Sequence, residues 1–332
     1  MLAALCAAPG CAPSLRQVRV IGYMPAWKDL RSTVERTDLT RLTHINVAFL
    51  NPDSSGALTA ENGPVCMGGA TDADLRYLVE KAHGARVRVL ASLGGGVIPR
   101  CSGDWESLLQ PAARQRLVDN LVAFAAAYDL DGIDVDLEGV LLTAIDRAGN
   151  YTPFVQALAA ALRPAGKLLT CATASYGGGM VPVESIPFFD FVNVMSYDAI
   201  GPSWGVAGSE HSTYEQALAH LDTWRARGLM PDKLVLGVPF YGYGFGGQYR
   251  RGYSYREILD TFGAAAASAD LVGTACAGCS YVTYNGRETI RRKTRLALER
   301  GSGVMIWEMS QDAPAPGDLL GVIHEEIARS SR

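Results

Sequence analysis

Asp131-Gly132-Ile133-Asp134-Val135-Asp136-Leu137-Glu138-Gly139 alternates acidic and apolar side chains along its length. On an extended strand, residues two apart share a face. Asp134, Asp136 and Glu138 therefore point one way, about 7 Å apart in succession, and Ile133, Val135 and Leu137 point the other. The apolar side calls for a layer of helices, and the acidic side for an enclosed, functional interior with Glu138 nearest its mouth. Asp131 lies off the acidic face and reads as structural.

Seven further runs share the short, apolar, β-branched character of this strand: 18–23, 43–50, 86–93, 167–174, 191–196, 234–240 and 303–308. Strands apolar on both faces suit a parallel sheet covered by helices. Helical patterns separate them: 72–83 stopping at Gly84, 112–128, a helix opened by Thr152 as N-cap and Pro153 through Leu162, one capped by Ser212 that stops at Gly228, 287–300 ending at Gly301, and 317–329. Eight strands alternating with helices permit a closed (β/α)8 barrel or an open doubly wound sheet. Eight units with polar residues at several strand ends favour the TIM barrel, whose sites are built at the C-terminal ends of its strands. The 332 residues suit one such barrel as a single domain, about 250 residues plus loops. The longest interval between strands, 241–302, reads as an elaborated loop between strands 7 and 8, with a helix near Tyr255–Thr261.

Composition narrows the function classes. The chain is 48% hydrophobic and 19% charged, which fits a large buried interior. A net charge of −4 without a basic stripe argues against nucleic acid as a partner, and no apolar run is long enough for a transmembrane helix. Residues 1–16 read as a bacterial export leader, with Cys11 as a lipid-acceptor cysteine, or as a disordered tail, and 17–332 as the catalytic barrel. That implies a periplasmic, outer-membrane-anchored or extracellular protein. Of seven cysteines, Cys6 and Cys11 fall in the leader and Cys171 reads as buried. Pairing Cys66 with Cys101 and Cys276 with Cys279 would suit an oxidising compartment. The five histidines show no metal spacing, and the glycines at 94–96 are not followed by the Lys-Ser/Thr of a phosphate loop. No metal or cofactor is expected, and the chain is expected to be a monomer.

Three crowded carboxylates cannot all ionise cheaply, so at least one keeps its proton towards neutral pH. An acid beside a persistent carboxylate is what glycosidic cleavage needs. A solvated surface strand and a calcium site are the alternatives, the latter weakened because a calcium loop is a turn rather than a β-rich strand.

Asp131-x-x-Asp134-x-Asp136-x-Glu138 resembles the signature of glycoside hydrolase family 18. Ser92-Leu93-Gly94-Gly95, Met195-Ser196-Tyr197-Asp198, Gly237-Val238-Pro239-Phe240-Tyr241-Gly242 and Gly303-Val304-Met305-Ile306-Trp307-Glu308 resemble its third, sixth, seventh and eighth strands in order, and Gly22-Tyr23 and Phe49 match its first two. The resemblance implies retaining hydrolysis in which the substrate's own 2-acetamido oxygen attacks C1. It assigns Glu138 as proton donor, Asp136 as holder of the acetamido N–H, Asp134 as the partner sharing a proton with Asp136, and Tyr197 as donor to the acetamido carbonyl. Trp307 becomes the sugar-ring floor, and Asp198 orients the sugar or tunes Glu138. Met195, Tyr23, Phe49, Tyr241 and the loop residues Trp27 and Trp204 are further substrate-binding candidates, while Ser92, Gly94 and Gly95 are structural. Trp224 reads as packing. The chain departs from many family chitinases in having Leu137 and Gly139-Val140 around the acid. Its interval between strands 7 and 8 is shorter than a full α+β insertion, which implies a shallower cleft and endo-type cutting. The expected partner is a polymer or glycan containing N-acetylglucosamine. Chitin is the first reading; an endo-β-N-acetylglucosaminidase acting on N-glycans or peptidoglycan, and a chitin-binding lectin-like relative, are the others.

Overall fold

The structure, a computed structural model, describes residues 18–330. The expected leader with Cys6 and Cys11 lies outside the described residues. Eight parallel strands close a barrel: β1 (Arg19–Pro25), β2 (His44–Leu50), β3 (Arg88–Gly95), β4 (Gly132–Leu137), β5 (Leu168–Thr173), β6 (Phe191–Val194), β7 (Leu234–Pro239) and β8 (Gly303–Trp307). Each strand neighbours its successor, and β8 returns to β1 with Gly22 opposite Ile306. The doubly wound alternative is thereby excluded.

The alternation read from β4 separates two cores. Ile133, Val135 and Leu137 join the large apolar layer between barrel and helices, together with Leu117, Leu121 and Phe124 of helix Pro111–Ala127. Each fully buried aliphatic side chain there contributes roughly 1.5–3 kcal/mol. A smaller cluster, Ile21, Tyr23, Ala48, Phe191, Val235 and Met305, fills the inside of the barrel.

Helix boundaries follow local capping chemistry. Thr71 and Asp74 form a capping box on helix Asp72–Gly84, and Pro111 opens helix Pro111–Ala127 without needing an N–H partner. Two expected caps are corrected. The helix assigned to Thr152 starts at Tyr151 after Asn150, so Thr152 and Pro153 lie in its first turn. Thr213, not Ser212, caps helix Tyr214–Ala226. The Ser212 hydroxyl is occupied elsewhere: it donates to the Ser196 carbonyl (2.7 Å) and accepts from Lys293 Nζ (2.6 Å). The helix Gly139–Arg147, directly after β4, was not anticipated.

The interval between β7 and β8 is more ordered than a loop. Strands Gly252–Ser254, Tyr241–Phe245, Tyr281–Thr283 and Leu271–Gly273 pair antiparallel in that order, with helix Tyr255–Phe262 capped by Ser254 and Glu257. The elaborated loop is thus a small α+β insert. Cys276 and Cys279 are bonded in its last turn, with Cα atoms 5.2 Å apart. Cys66 and Cys101 are also bonded, Cα–Cα 5.6 Å, and link the loops that follow β2 and β3. Cys171 is buried and unpaired.

Candidate active site

All three acids of β4 are brought together at the barrel axis, in three different environments. Asp134 is fully buried and accepts hydrogen bonds from Tyr23 Oη (2.7 Å), Ser92 Oγ (2.7 Å), Thr170 Oγ1 (2.5 Å) and Asn193 Nδ2 (3.4 Å). The parallel register places Ser92 and Thr170 directly beside it on β3 and β5. Burial pushes its pKa up, and these donors oppose the shift. Asp136 lies one pleat nearer the mouth. It is buried, its Oδ1 has no hydrogen-bond partner, and burial followed by the charges of Glu138 and Asp134 drives its pKa well above the carboxylate range. Glu138 follows the last residue of the strand and lines the cleft. Burial, then the charge of Asp198, raises its pKa to about 7.

Asp131 sits off this face, where its Oδ2 accepts from the Val89 amide (2.8 Å) and meets His83 Nε2 (2.9 Å). It ties β4 to β3 at the closed end of the barrel.

The β3 glycines bring this chain close to its neighbours. Gly94 has φ +88°, and a Cβ there would lie 2.7 Å from Leu137 Cδ2 and 2.8 Å from the Asp136 carbonyl oxygen. At Gly95 (φ +94°) a Cβ would stand 2.4 Å from the Phe49 ring. Only glycine fits both the left-handed backbone and the contact.

Around the acids opens a cleft of about 1130 Å³ lined by Asp136, Glu138, Met195, Tyr197, Asp198 and Trp307, among others. Trp307 lines it and stacks on Phe49 (centroids 5.6 Å, interplanar 18°), and Trp27 stacks on Phe49 in turn (5.8 Å, 26°). Trp27 and Trp204 are 48% and 46% exposed, so aromatic faces remain open to a ligand. Burial also raises the Tyr197 phenol well above its ordinary value, keeping it a neutral hydroxyl donor; its oxygen stands 3.8 Å from Met305 Sδ.

Two predicted binding residues are not at the cleft surface. Tyr23 is buried and bonds Asp134. Tyr241 is buried and donates to Asp198 Oδ1 (2.5 Å). Both hold carboxylates rather than face a ligand. Conversely, Asn51, Tyr176, Gln216 and His220 line the cleft and were not singled out from sequence. Tyr176, 61% exposed, follows β5, and an exposed aromatic in a post-strand loop was the available signal. Trp224 packs as expected, and its Nε1 also donates to Ala174 O (3.2 Å). None of the described residues of the insert lines the cleft.

The sequence profile of the glycosyl hydrolases family 18 matches residues 19–312. The chain belongs to that family. It is a glycoside hydrolase. Among solved structures it is similar to the GH18 chitinase ChiB from the chitin utilization locus of Flavobacterium johnsoniae, at 33% identity and TM-score 0.80, covering 95% of each chain. A chitinase from Bacteroides thetaiotaomicron matches at 27% identity and TM-score 0.79, over 95% of this chain and 98% of that one. A class V chitinase of Arabidopsis thaliana is 24% identical over 83% of this chain and 82% of its own length. The barrel, the insert and the carboxylate strand therefore all fall within the family region. No described helix is long and apolar enough to cross a membrane.

Proposed function

We propose that this hydrolase cleaves β-1,4-linked N-acetylglucosamine in chitin, with retention of configuration and with the substrate's acetamido group as nucleophile. The observation that carries the reading is the pairing of Glu138, held near pKa 7, with a buried Asp136 whose Oδ1 lacks a partner, in a cleft floored by Trp307. An unpartnered buried acceptor is costly unless a ligand donor meets it. The N–H of a 2-acetamido group is such a donor.

In the first step the acetamido oxygen attacks C1, the glycosidic C1–O bond breaks, and the Glu138 proton passes to the departing oxygen. Asp136 accepts the acetamido N–H on its unpartnered Oδ1, and Tyr197 donates to the acetamido carbonyl. These two contacts hold the nucleophile in a near-attack pose. Water then gives a proton to the Glu138 carboxylate and attacks C1, displacing the acetamido oxygen. Asp134 stays deep, its four donors fixing the orientation of β4 under Asp136. The similar proteins described as chitinases favour chitin over N-glycan or peptidoglycan backbones. Export is also inferred, because two disulfides suit an oxidising compartment.

The test compares chitin oligosaccharides, a high-mannose glycopeptide and peptidoglycan with wild type, Glu138→Gln and Asp136→Asn. Chitin cleavage with the β-anomer formed first, lost in both variants, is expected. Wild type that cuts none of the three sinks the reading; near-normal turnover by Asp136→Asn rejects assistance by the acetamide.

A further inference from the structure

We propose that His211 is a positioning residue of this site, its Nδ1–H holding Asp198 as an oriented carboxylate facing Glu138. The proposal rests on the reading of Glu138 as the acid.

His211 is fully buried, and neither ring nitrogen makes a hydrogen bond of normal geometry. Nδ1 stands 3.6 Å from Asp198 Oδ1, one short movement from a bond. A buried donor left unmade is unfavourable, and hydrogen bonds around catalytic groups often tighten only when substrate binds. The segment that carries the imidazole is held on both sides. Its backbone carbonyl accepts from the Ala199 amide (3.1 Å) and its amide donates to Thr283 Oγ1 (3.2 Å). The next residue, Ser212, is held by Ser196 and by the buried Lys293. The ring itself packs against Tyr241 (5.2 Å) and Tyr243 (5.4 Å). Asp198 is equally constrained: it has φ +62°, its Oδ1 accepts from Tyr241 Oη (2.5 Å), and its carbonyl accepts from Trp204 Nε1 (3.0 Å). A non-glycine residue in that backbone conformation needs its surroundings to hold it.

The electrostatics give the arrangement a purpose. Burial first, and the charge of Lys293, push His211 below its ordinary pKa, while Asp198 and the Tyr241 backbone oppose them. The imidazole is thus neutral, with one N–H for which the Asp198 carboxylate and the Tyr241 backbone compete, and the negative charge of Asp198 favours Nδ1. A donor to Asp198 fixes where its carboxylate lies relative to Glu138, and after burial the charge of Asp198 is the next cause raising Glu138, so a carboxylate free to turn away raises it less. The titratable groups facing this pair are Glu138 directly after β4, Tyr176 after β5, Tyr197 after β6, Tyr241 and Tyr243 from the insert, and Lys293 from helix Arg287–Arg300. The tyrosines have raised pKa values and remain neutral, while burial pushes Lys293 down to about 7, opposed by Asp270.

The test is the pH profile of kcat/KM on a soluble chitin oligosaccharide for wild type, His211→Phe and His211→Asn. Phe fills the aromatic cluster without a donor; the Asn amide nitrogen replaces Nδ1. Glu138 must be protonated to act, so the alkaline limb reports its pKa. In His211→Phe the limb moves to lower pH by about half a unit or more, and in His211→Asn it stays with wild type. A His211→Phe limb coincident with wild type, or an equal shift in both variants, overturns the proposal. Should His211→Phe not fold, ring-nitrogen NMR of the wild-type protein decides: the Nδ1–H tautomer supports the proposal and the Nε2–H tautomer overturns it. Glu138→Gln is the control. Wild-type turnover there fails the acid assignment itself, whereas an inactive control beside an unshifted His211→Phe fails only the role of His211.

Discussion

Glu138→Gln should remove activity and yet stabilise the fold, by an amount that grows with pH. Glu138 has an ordinary pKa of 4.5 in the unfolded chain and about 7 in the folded one. A carboxyl whose folded pKa is raised binds its proton more tightly when folded. Its contribution to stability is fully present below the unfolded value and is lost as pH rises through the folded one. Relative to a permanently neutral isostere, integration over that window gives a penalty of about 1 kcal/mol at pH 5 and about 3 kcal/mol at pH 8. Glutamine keeps the shape and carries no charge, so it escapes the penalty. It also removes the negative neighbour that helps push Asp136 up, which acts in the same direction. At roughly 2 °C per kcal/mol for a chain of this size, the variant should melt about 6 °C above wild type at pH 8 and about 2 °C above it at pH 5. Differential scanning calorimetry at the two pH values measures the difference directly, and turnover of a chitin oligosaccharide should fall at least about a hundredfold. A gain in Tm that does not change between pH 5 and pH 8, or a loss at pH 8, would refute the claim that burial and Asp198 hold this carboxyl protonated.

Tyr197→Phe removes one donor and little volume; losing about 2 kcal/mol of transition-state hydrogen bonding should lower kcat roughly thirtyfold with little change in KM, and an unchanged kcat would exclude the phenol from the acetamide contact. Gly95→Ala places a Cβ 2.4 Å from the Phe49 ring at a backbone φ of +94°. It should cost about 2–4 kcal/mol in urea unfolding and disturb the Phe49–Trp307 stack, so wild-type stability would contradict the packing described. Trp27→Ala should raise KM for long oligosaccharides by roughly tenfold, about 1.4 kcal/mol of stacking, while leaving Tm near wild type because half of the ring is exposed. A matching change in KM for the shortest cleaved oligosaccharide would place Trp27 at the reacting sugar instead.

All eight barrel strands were legible in the sequence because each is buried on both faces and keeps an apolar, β-branched run of four to eight residues. Helix Gly139–Arg147 was missed for a local reason. It starts immediately after β4 with Glu138 in the N-cap position and no side-chain cap, so nothing separates the two elements in sequence. Three strands of the insert are three residues long, too short to show a period of two. Their pairing is a tertiary fact. The tandem Ser212-Thr213 offered two equivalent caps, and only the distant Lys293 and Ser196 decide which hydroxyl is free to act.

The site was legible along the chain and illegible across it. A period of two places Asp134, Asp136 and Glu138 on one face, but it treats them as equals. What separates them is the supply of donors from other strands. Asp134 is met from β1, β3, β5 and β6, through Tyr23, Ser92, Thr170 and Asn193. Asp136, next along the strand, has one oxygen with no partner at all. Glu138 reaches the cleft with Asp198 as its charged neighbour. Polar satisfaction therefore falls from the barrel interior towards its mouth, and substrate must supply what is missing at the open end. The same gradient explains why Tyr23 and Tyr241 are buried beside carboxylates and do not line the cleft. Each carries a hydroxyl that a carboxylate on a different segment claims. His211 follows the same rule. A search for metal spacing finds nothing at that position, because its partner is a single aspartate thirteen residues earlier, brought back by the fold to 3.6 Å.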